Sequence, residues 1–412
     1  MRTDRRAFLG MAVTAGLIGL HPSLLSAQTS GVKFPPPQGS RPGSLPPPIT
    51  SAERTQRIAK AQQLMRAAGL KALLVEAGSS LVYFTGVQWW RSERLTAALI
   101  PADGEPVLVT PAFEEPSVRE NLQVPADVRV WNEHESPFAL LADWLKAQGA
   151  GKGPVGVEET TRFFAFDGLR KLGVETRGDS GVVRACRVIK SPAEIALMQA
   201  AADITIAAYR ETGPQIARGM TPADIAGIMS AAMKKRGGNP EFTLVLLGEA
   251  AAYPHGTGKP QEVKPGEIVL LDCGSSVEGY QSDISRTMVM GEASKHQREV
   301  WDLVHRGQQI AFETAKAGTP AGAVDDAVRG AYEKAGYGPG YKLPGTSHRT
   351  GHGIGLDTHE PVNLVHGETT PLAPGMCFSD EPGIYIPGSF GVRLEDCIHV
   401  TESGPKWFSV PP

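Results

Sequence analysis

Residues Glu267–Met290 read EIVLLDCGSSVEGYQSDISRTMVM. Two β-rich runs flank SSVEG, the pattern of a β-hairpin. A turn between Val277 and Glu278 sets Asp272 directly opposite Asp283. Residues so opposed share a face, with Cβ atoms about 5 Å apart. The apolar neighbours Leu270, Leu271 and Ile284 argue for burial, and two buried like charges repel. Either a cation lies between them, or one is protonated, or the register differs and one of the two faces water.

A second hairpin repeats the logic. Phe378–Val400 reads FSDEPGIYIPGSFGVRLEDCIHV, and a turn centred on Gly388 sets Glu381 opposite Glu395. Between the hairpins lies GHGIGLDTHEP, Gly351–Pro361. Its glycines at 351, 353 and 355 make a poor helix and let backbone approach closely. Four carboxylates and the His352 imidazole make up an oxygen-rich site for a pair of divalent ions. Hard carboxylates with one nitrogen favour manganese-like ions over a structural zinc site, which would use Cys and His.

In order along the chain, LLDCG, SDISRT, GHGIG, DEPGIY and VRLED resemble the pita-bread metallopeptidases: Xaa-Pro aminopeptidases, Xaa-Pro dipeptidases (prolidases) and methionine aminopeptidases. The resemblance covers about 188–412. RVIKSPAEIALMQAAA and the upstream LVYFTGV look like the Xaa-Pro branch, which has an extra N-terminal domain. It implies an α/β creatinase-like N-terminal domain followed by an α+β pita-bread catalytic domain. It also implies that Asp272, Asp283, His352, Glu381 and Glu395 hold two divalent metal ions, manganese ahead of zinc, cobalt or iron. Glu381 would serve as general base as well as ligand. His255 in YPHGTG and His359 in THEP would hold the scissile carbonyl and its oxyanion, with His348 and Arg393 supporting the substrate. Asp380 stands beside Glu381 where the family often has an apolar or hydroxyl residue, an added charge that bears on metal affinity.

The expected reaction is hydrolysis of the peptide bond on the N-terminal side of proline in short peptides. Three other readings share the fold. They are a metal-free creatinase-type C–N hydrolase, a non-peptidase hydrolase or lyase of a small molecule, and a catalytically dead binding module. The intact acidic set argues against the first and the last.

Composition agrees with a globular enzyme. With 412 residues, the chain suits two medium domains, and 41 basic against 44 acidic side chains leave no basic stripe for nucleic acid. There is no apolar run of about 18 residues for membrane spans, so the mature chain is not expected to insert. Cys186, Cys273, Cys377 and Cys397 form no CxxC pair and read as core residues. The N-terminus, MRTDRRAFLG followed by a mild apolar stretch and small residues near Ala27, resembles a twin-arginine export signal. The expected division is a signal over 1–27, a proline-rich linker over 28–50, the N-terminal domain over 51–185 and the catalytic domain over 186–412. A periplasmic or secreted location follows from that signal. Helices are expected after Thr55, from Ser191-Pro192 with Glu194 as capping partner, after Thr221 and near 294–317. Trp89, Trp90 and Arg91 make an aromatic corner suited to subunit contact, so a homodimer or larger assembly is expected.

Replacing Arg5 and Arg6 together by lysine tests the export reading. Fractionation should then find the protein retained in the cytoplasm, whereas unchanged export would rule out the twin-arginine reading.

Overall fold

The computed structural model describes residues 44–148 and 153–412. The expected signal and most of the proline-rich linker lie outside the described residues.

The N-terminal part alternates helices and strands. Helix α1 (Ser51–Ala67) opens at Thr50, whose hydroxyl accepts from the Glu53 amide. Strands β1 (Ala72–Glu76), β2 (Ala97–Pro101), β3 (Val107–Pro111), β4 (Asp127–Trp131), β5 (Val155–Val157) and β6 (Thr176–Gly178) form one sheet in the order β4-β3-β2-β1-β5-β6. Helices α2 (Ser79–Thr85), α3 (Glu115–Asn121), α4 (Pro137–Ala147), α5 (Phe163–Lys171) and α6 (Val182–Arg187) connect or follow them. The three central strands are buried at every position, so both faces must be covered. Strand alternation separates the two faces. Leu74, Leu99 and Val109 pack with Leu141 and Leu145 of α4 and Leu169 of α5. Leu73, Val75 and Ile100 join a larger core that continues into the catalytic domain.

In that domain α7 (Pro192–Thr212) begins at a capping box in which Ser191 and Glu194 satisfy each other's amides. Helix α8 (Pro222–Lys234) is capped likewise by Thr221 and Asp224. Strands β7 (Asn239–Leu247), β8 (Ile268–Val277), β9 (Tyr280–Gln281) and β10 (Ile284–Val289) form the first sheet, ordered β10-β8-β7 with β9 beside β8. Helices α9 (Lys295–Thr314) and α10 (Ala321–Lys334) follow. Then come β11 (Gly351–Gly353), β12 (Glu360–Leu364), β13 (Cys377–Asp380), β14 (Gly383–Ile386), β15 (Phe390–Arg393), β16 (Asp396–Thr401) and β17 (Gly404–Trp407). Five of these make a sheet ordered β12-β11-β13-β16-β17, and β14-β15 is a separate ribbon.

Two expectations need correction. The reading of one helix beyond residue 240 missed α10, whose AGAVDDAVRGAYEK sequence is diluted by glycines and starts at Pro320 without a side-chain cap. Its apolar Val324, Val328 and Tyr332 recur every four residues and are buried. The first hairpin is also shifted by two residues. Glu278 and Gly279 both have positive φ, 51° and 81°, so the turn is a two-residue one centred between them. Asp272 therefore faces Ser285, and Asp283 lies one diagonal step along the ladder. A shift of two keeps both aspartates on one face.

The second hairpin keeps the expected register. Gly383 pairs with Arg393 across β14-β15, and Asp380 pairs with Asp396 across β13-β16, so Glu381 and Glu395 face each other at the break between the ladders. At glycines 351 and 353 an added Cβ would lie 2.1 Å from the Ser379 carbonyl and 2.6 Å from that of Glu360, so close backbone contact requires them. All four cysteines are buried and free. Among the described residues no helix is long and apolar enough to cross a membrane. Trp89 packs against the core and stacks on Trp90, which is 72% exposed.

Buried charge fastens the segment at the domain junction to the catalytic sheet. Glu360 accepts from Lys190 Nζ at 2.9 Å, from Arg187 and from the amides of Leu356 and Asp357. Burial alone would raise its carboxyl, but the two cations hold it at about 2. A lowered carboxyl contributes stability above its ordinary value of 4.5 and loses it as pH falls towards 2. Glu360→Gln strands the Lys190 ammonium and should cost about 3–5 kcal/mol at pH 7. Denaturant titrations of both proteins should show that deficit shrinking below pH 4.5.

Candidate metal centre

Strands from both hairpins and β11 deliver their polar side chains into one pocket. Asp283, His352 and Glu395 are each almost fully buried, and one donor atom of each lies within 4.8 Å of the others. The Nδ1 of His352 donates to the Gly353 carbonyl at 3.0 Å, which turns Nε2 into the pocket. That Nε2 stands 3.2 Å from Glu381 Oε1 and 3.6 Å from Asp283 Oδ2. Asp272 and Asp283 lie close enough for one carboxyl to hydrogen bond the other.

Arg393 organises the rest. Its guanidinium donates to Asp272 Oδ2 at 2.7 Å, Ser285 Oγ at 3.0 Å, Tyr385 OH at 3.0 Å and the Pro254 carbonyl at 3.1 Å. Ser285 Oγ in turn donates to Glu395 Oε2 at 2.7 Å. Ser379 Oγ accepts from the His352 amide and donates to Glu381 Oε1 at 3.3 Å. His348 faces the Arg349 carbonyl through Nδ1 and the Tyr385 hydroxyl through Nε2, both at 2.7 Å.

Burial first, then the neighbouring carboxylates, pushes Asp283 and Glu395 well above the usual carboxylate range. For Glu381 burial acts in the same direction, but its hydrogen bond to His352 and the His352 charge reverse it and hold the group low. His359 lies edge-on to His352, ring centres 4.2 Å apart. Burial and the charge of His352 lower it to about 4, so it is neutral near pH 7.

The expected site residues are thus gathered, with one differently held. His255 lies on the exposed loop between β7 and β8, near enough for its charge to act on His348 and His359. Among the described contacts its ring makes no hydrogen bond; the loop is held instead through Pro254. Asp380 points away from the pocket, as strand alternation from Glu381 requires. Burial and Asp396 push its carboxyl far up, and neither oxygen has a partner among the described contacts. Ser285, Ser379 and Tyr385 were not singled out from sequence. Their signal was register: Ser285 lies directly across from Asp272.

The residues fit divalent cations. Asp272 Oδ1, Asp283 Oδ1 and Glu395 Oε1 are buried without a hydrogen-bond partner. Three orphan carboxylate oxygens in a pocket of like charges are costly unless something positive meets them.

Residues 196–402 match the model of metallopeptidase family M24, and residues 57–189 match the creatinase/prolidase N-terminal domain. The chain belongs to metallopeptidase family M24. This metallopeptidase is 34% identical to an Xaa-Pro dipeptidase of Lactobacillus helveticus, over 85% of its own length and 95% of the relative's. The solved structure of dipeptidase PepE from Mycobacterium ulcerans superposes with a TM-score of 0.81 at 32% identity, covering 89% of this chain and 98% of that one. A prolidase from Thermococcus sibiricus gives 0.81 at 28% identity, covering 87% and 97%. The metallopeptidase therefore combines a creatinase-type N-terminal domain with a pita-bread catalytic domain.

Chelation provides a direct test of the orphan oxygens. Adding a divalent cation to chelated protein should raise its melting temperature. By mass action the gain is about 2.7 kcal/mol at a free ion concentration of about 100 Kd. Calorimetry that finds no shift with manganese, zinc, cobalt or iron would contradict the fit.

Proposed function

We propose that this metallopeptidase hydrolyses the peptide bond on the N-terminal side of proline in short peptides, as a dipeptidase or an aminopeptidase. The observation that supports the reading is the convergence of four carboxylates and one imidazole in a buried pocket, with three carboxylate oxygens left over. Similarity along nearly the whole chain to an Xaa-Pro dipeptidase supports the proline preference.

Asp272, Asp283, His352, Glu381 and Glu395 would hold two divalent ions, with manganese favoured by the hard donor set. Such ions supply Lewis acidity and lower the pKa of water at neutral pH. The chain's own residues do the rest. Glu381, ionised at neutral pH, would take a proton from water and pass it towards the leaving nitrogen. His359, neutral at working pH, can donate an N–H to the developing oxyanion, and His255 would reach it from the opposite wall. Arg393 fixes Asp272 while Tyr385 joins Arg393 to His348, which would keep the substrate-facing histidine oriented. A metal-free C–N hydrolase would leave the three orphan oxygens without compensation.

The N-terminal twin-arginine signal would deliver the protein to the periplasm or outside the cell. Trp90, exposed beside Trp89 and Arg91, supports a homodimer built through the N-terminal domain.

Two variants test the mechanism. Glu381→Gln should lower turnover of one Xaa-Pro dipeptide by about 10²–10⁴-fold or more and reduce bound metal. His359→Ala should lower kcat while elemental analysis still finds two metals. If Glu381→Gln kept both metals and near-normal turnover, Glu381 would be neither ligand nor base. If His359→Ala lost its metals, the two histidines of GHGIGLDTHEP would exchange roles.

A further inference from the structure

Helix α10 lies outside the pocket, yet its Arg329 holds the loop that carries His348. Arg329 is 7% exposed, and each of its guanidinium nitrogens meets a nearby acceptor. Nη1 donates to the Gly340 carbonyl at 2.9 Å and the Thr346 carbonyl at 3.1 Å. Nη2 donates to the carbonyl of His348 itself, and Nε to Asp325 Oδ2 at 2.7 Å. Tyr341, from the same loop, lies across the guanidinium with its ring centre 4.0 Å away.

Asp325 extends the hold to a second segment of the pocket. Its Oδ1 accepts from the Thr350 amide at 3.0 Å and hydroxyl at 2.7 Å, and its Oδ2 also accepts from the His366 amide. The Thr350 carbonyl receives the Glu381 amide at 2.9 Å. One buried ion pair thus touches the backbone at His348 and, through one residue, the backbone at Glu381.

We propose that Arg329 is a positioning residue of the catalytic site, setting the backbone at His348 directly and at Glu381 through Asp325 and Thr350. The proposal rests on the reading of His348 and Glu381 as site residues. A planar fork with five donors suits this role, because it binds three carbonyls and a carboxylate at once, which a lysine ammonium cannot do. The loop has other ties, since Gly345 pairs with Tyr385 and Thr346 Oγ1 donates to the Gly383 carbonyl at 2.6 Å. Loss of Arg329 should therefore loosen the loop and leave the fold in place. Displacement of about 1 Å is enough to cost roughly 10²-fold in rate.

The test compares wild type, Arg329→Met and the milder Arg329→Lys as full-length metal-loaded proteins. Turnover of an Xaa-Pro dipeptide, metal content and amide hydrogen exchange over residues 340–350 are read together. The expected result for Arg329→Met is a kcat about 10²-fold lower with KM and metal content near wild type. Loop amides should exchange faster, and low concentrations of free guanidinium should restore part of the rate. Arg329→Lys should fall between the two and, if Arg329→Met does not fold, carries the test. Unchanged kcat in a folded variant, or a lower melting temperature with normal turnover and normal loop exchange, overturns the proposal. Inactive wild type would instead refute the peptidase reading, while the exchange data would still report on the Arg329 hold.

Discussion

Burial of four carboxylates around one imidazole sets the terms for the rest of this structure. Each ionised carboxylate taken out of water is costly, and like charges at hydrogen-bond range add to that cost. The protein offsets part of it from within. Arg393 lies against Asp272, Ser285 donates to Glu395, and Ser379 and His352 donate to Glu381. Among the described residues no arginine or serine side chain donates to Asp283, and its raised carboxyl records the deficit that burial creates. What remains is a set of orphan oxygens, a shape that divalent ions complete.

Such a cluster needs a stiff frame, because repulsion would otherwise open it. Ser285 and Glu395 exchange both backbone hydrogen bonds at 3.2 Å, joining the first hairpin to the second. Arg286 seals that junction, donating to the carbonyls of Ser285 and Glu395 and, with both terminal nitrogens, to Asp396. The repelling carboxylates are therefore fixed by main chain as well as by side chain. The rotation of Asp380 to the opposite face has the same origin, since adjacent strand residues cannot both enter the pocket.

The N-terminal domain takes part in this frame. Arg57 from α1 meets Glu194 at 3.3 Å and the Tyr280 hydroxyl at 3.2 Å, three residues from Asp283. At the junction between the domains, Lys190 and Arg187 hold Glu360, the neighbour of His359. One apolar core runs through both domains beneath these contacts. The domain junction and the pocket are held by residues close in sequence, so a disturbance of one has a short path to the other.

The pattern of residue types was legible along the chain because it depends on local rules. Alternation and turn residues marked both hairpins, capping pairs marked α7 and α8, and glycines at 351 and 353 marked a close backbone approach. The family and its two-domain fold follow from those ordered stretches. Register was only half legible: Gly388 centred the second hairpin, but a two-residue turn at Glu278-Gly279 moved the first by one step of the face. Side-chain partners were not legible at all. Whether Arg393 meets Asp272, whether Asp380 turns away and how Arg329 grips a loop eleven to nineteen residues on depend on distances between segments remote in sequence. Local propensity carries no information about those distances; they are decided when the sheets and helices pack around a common core.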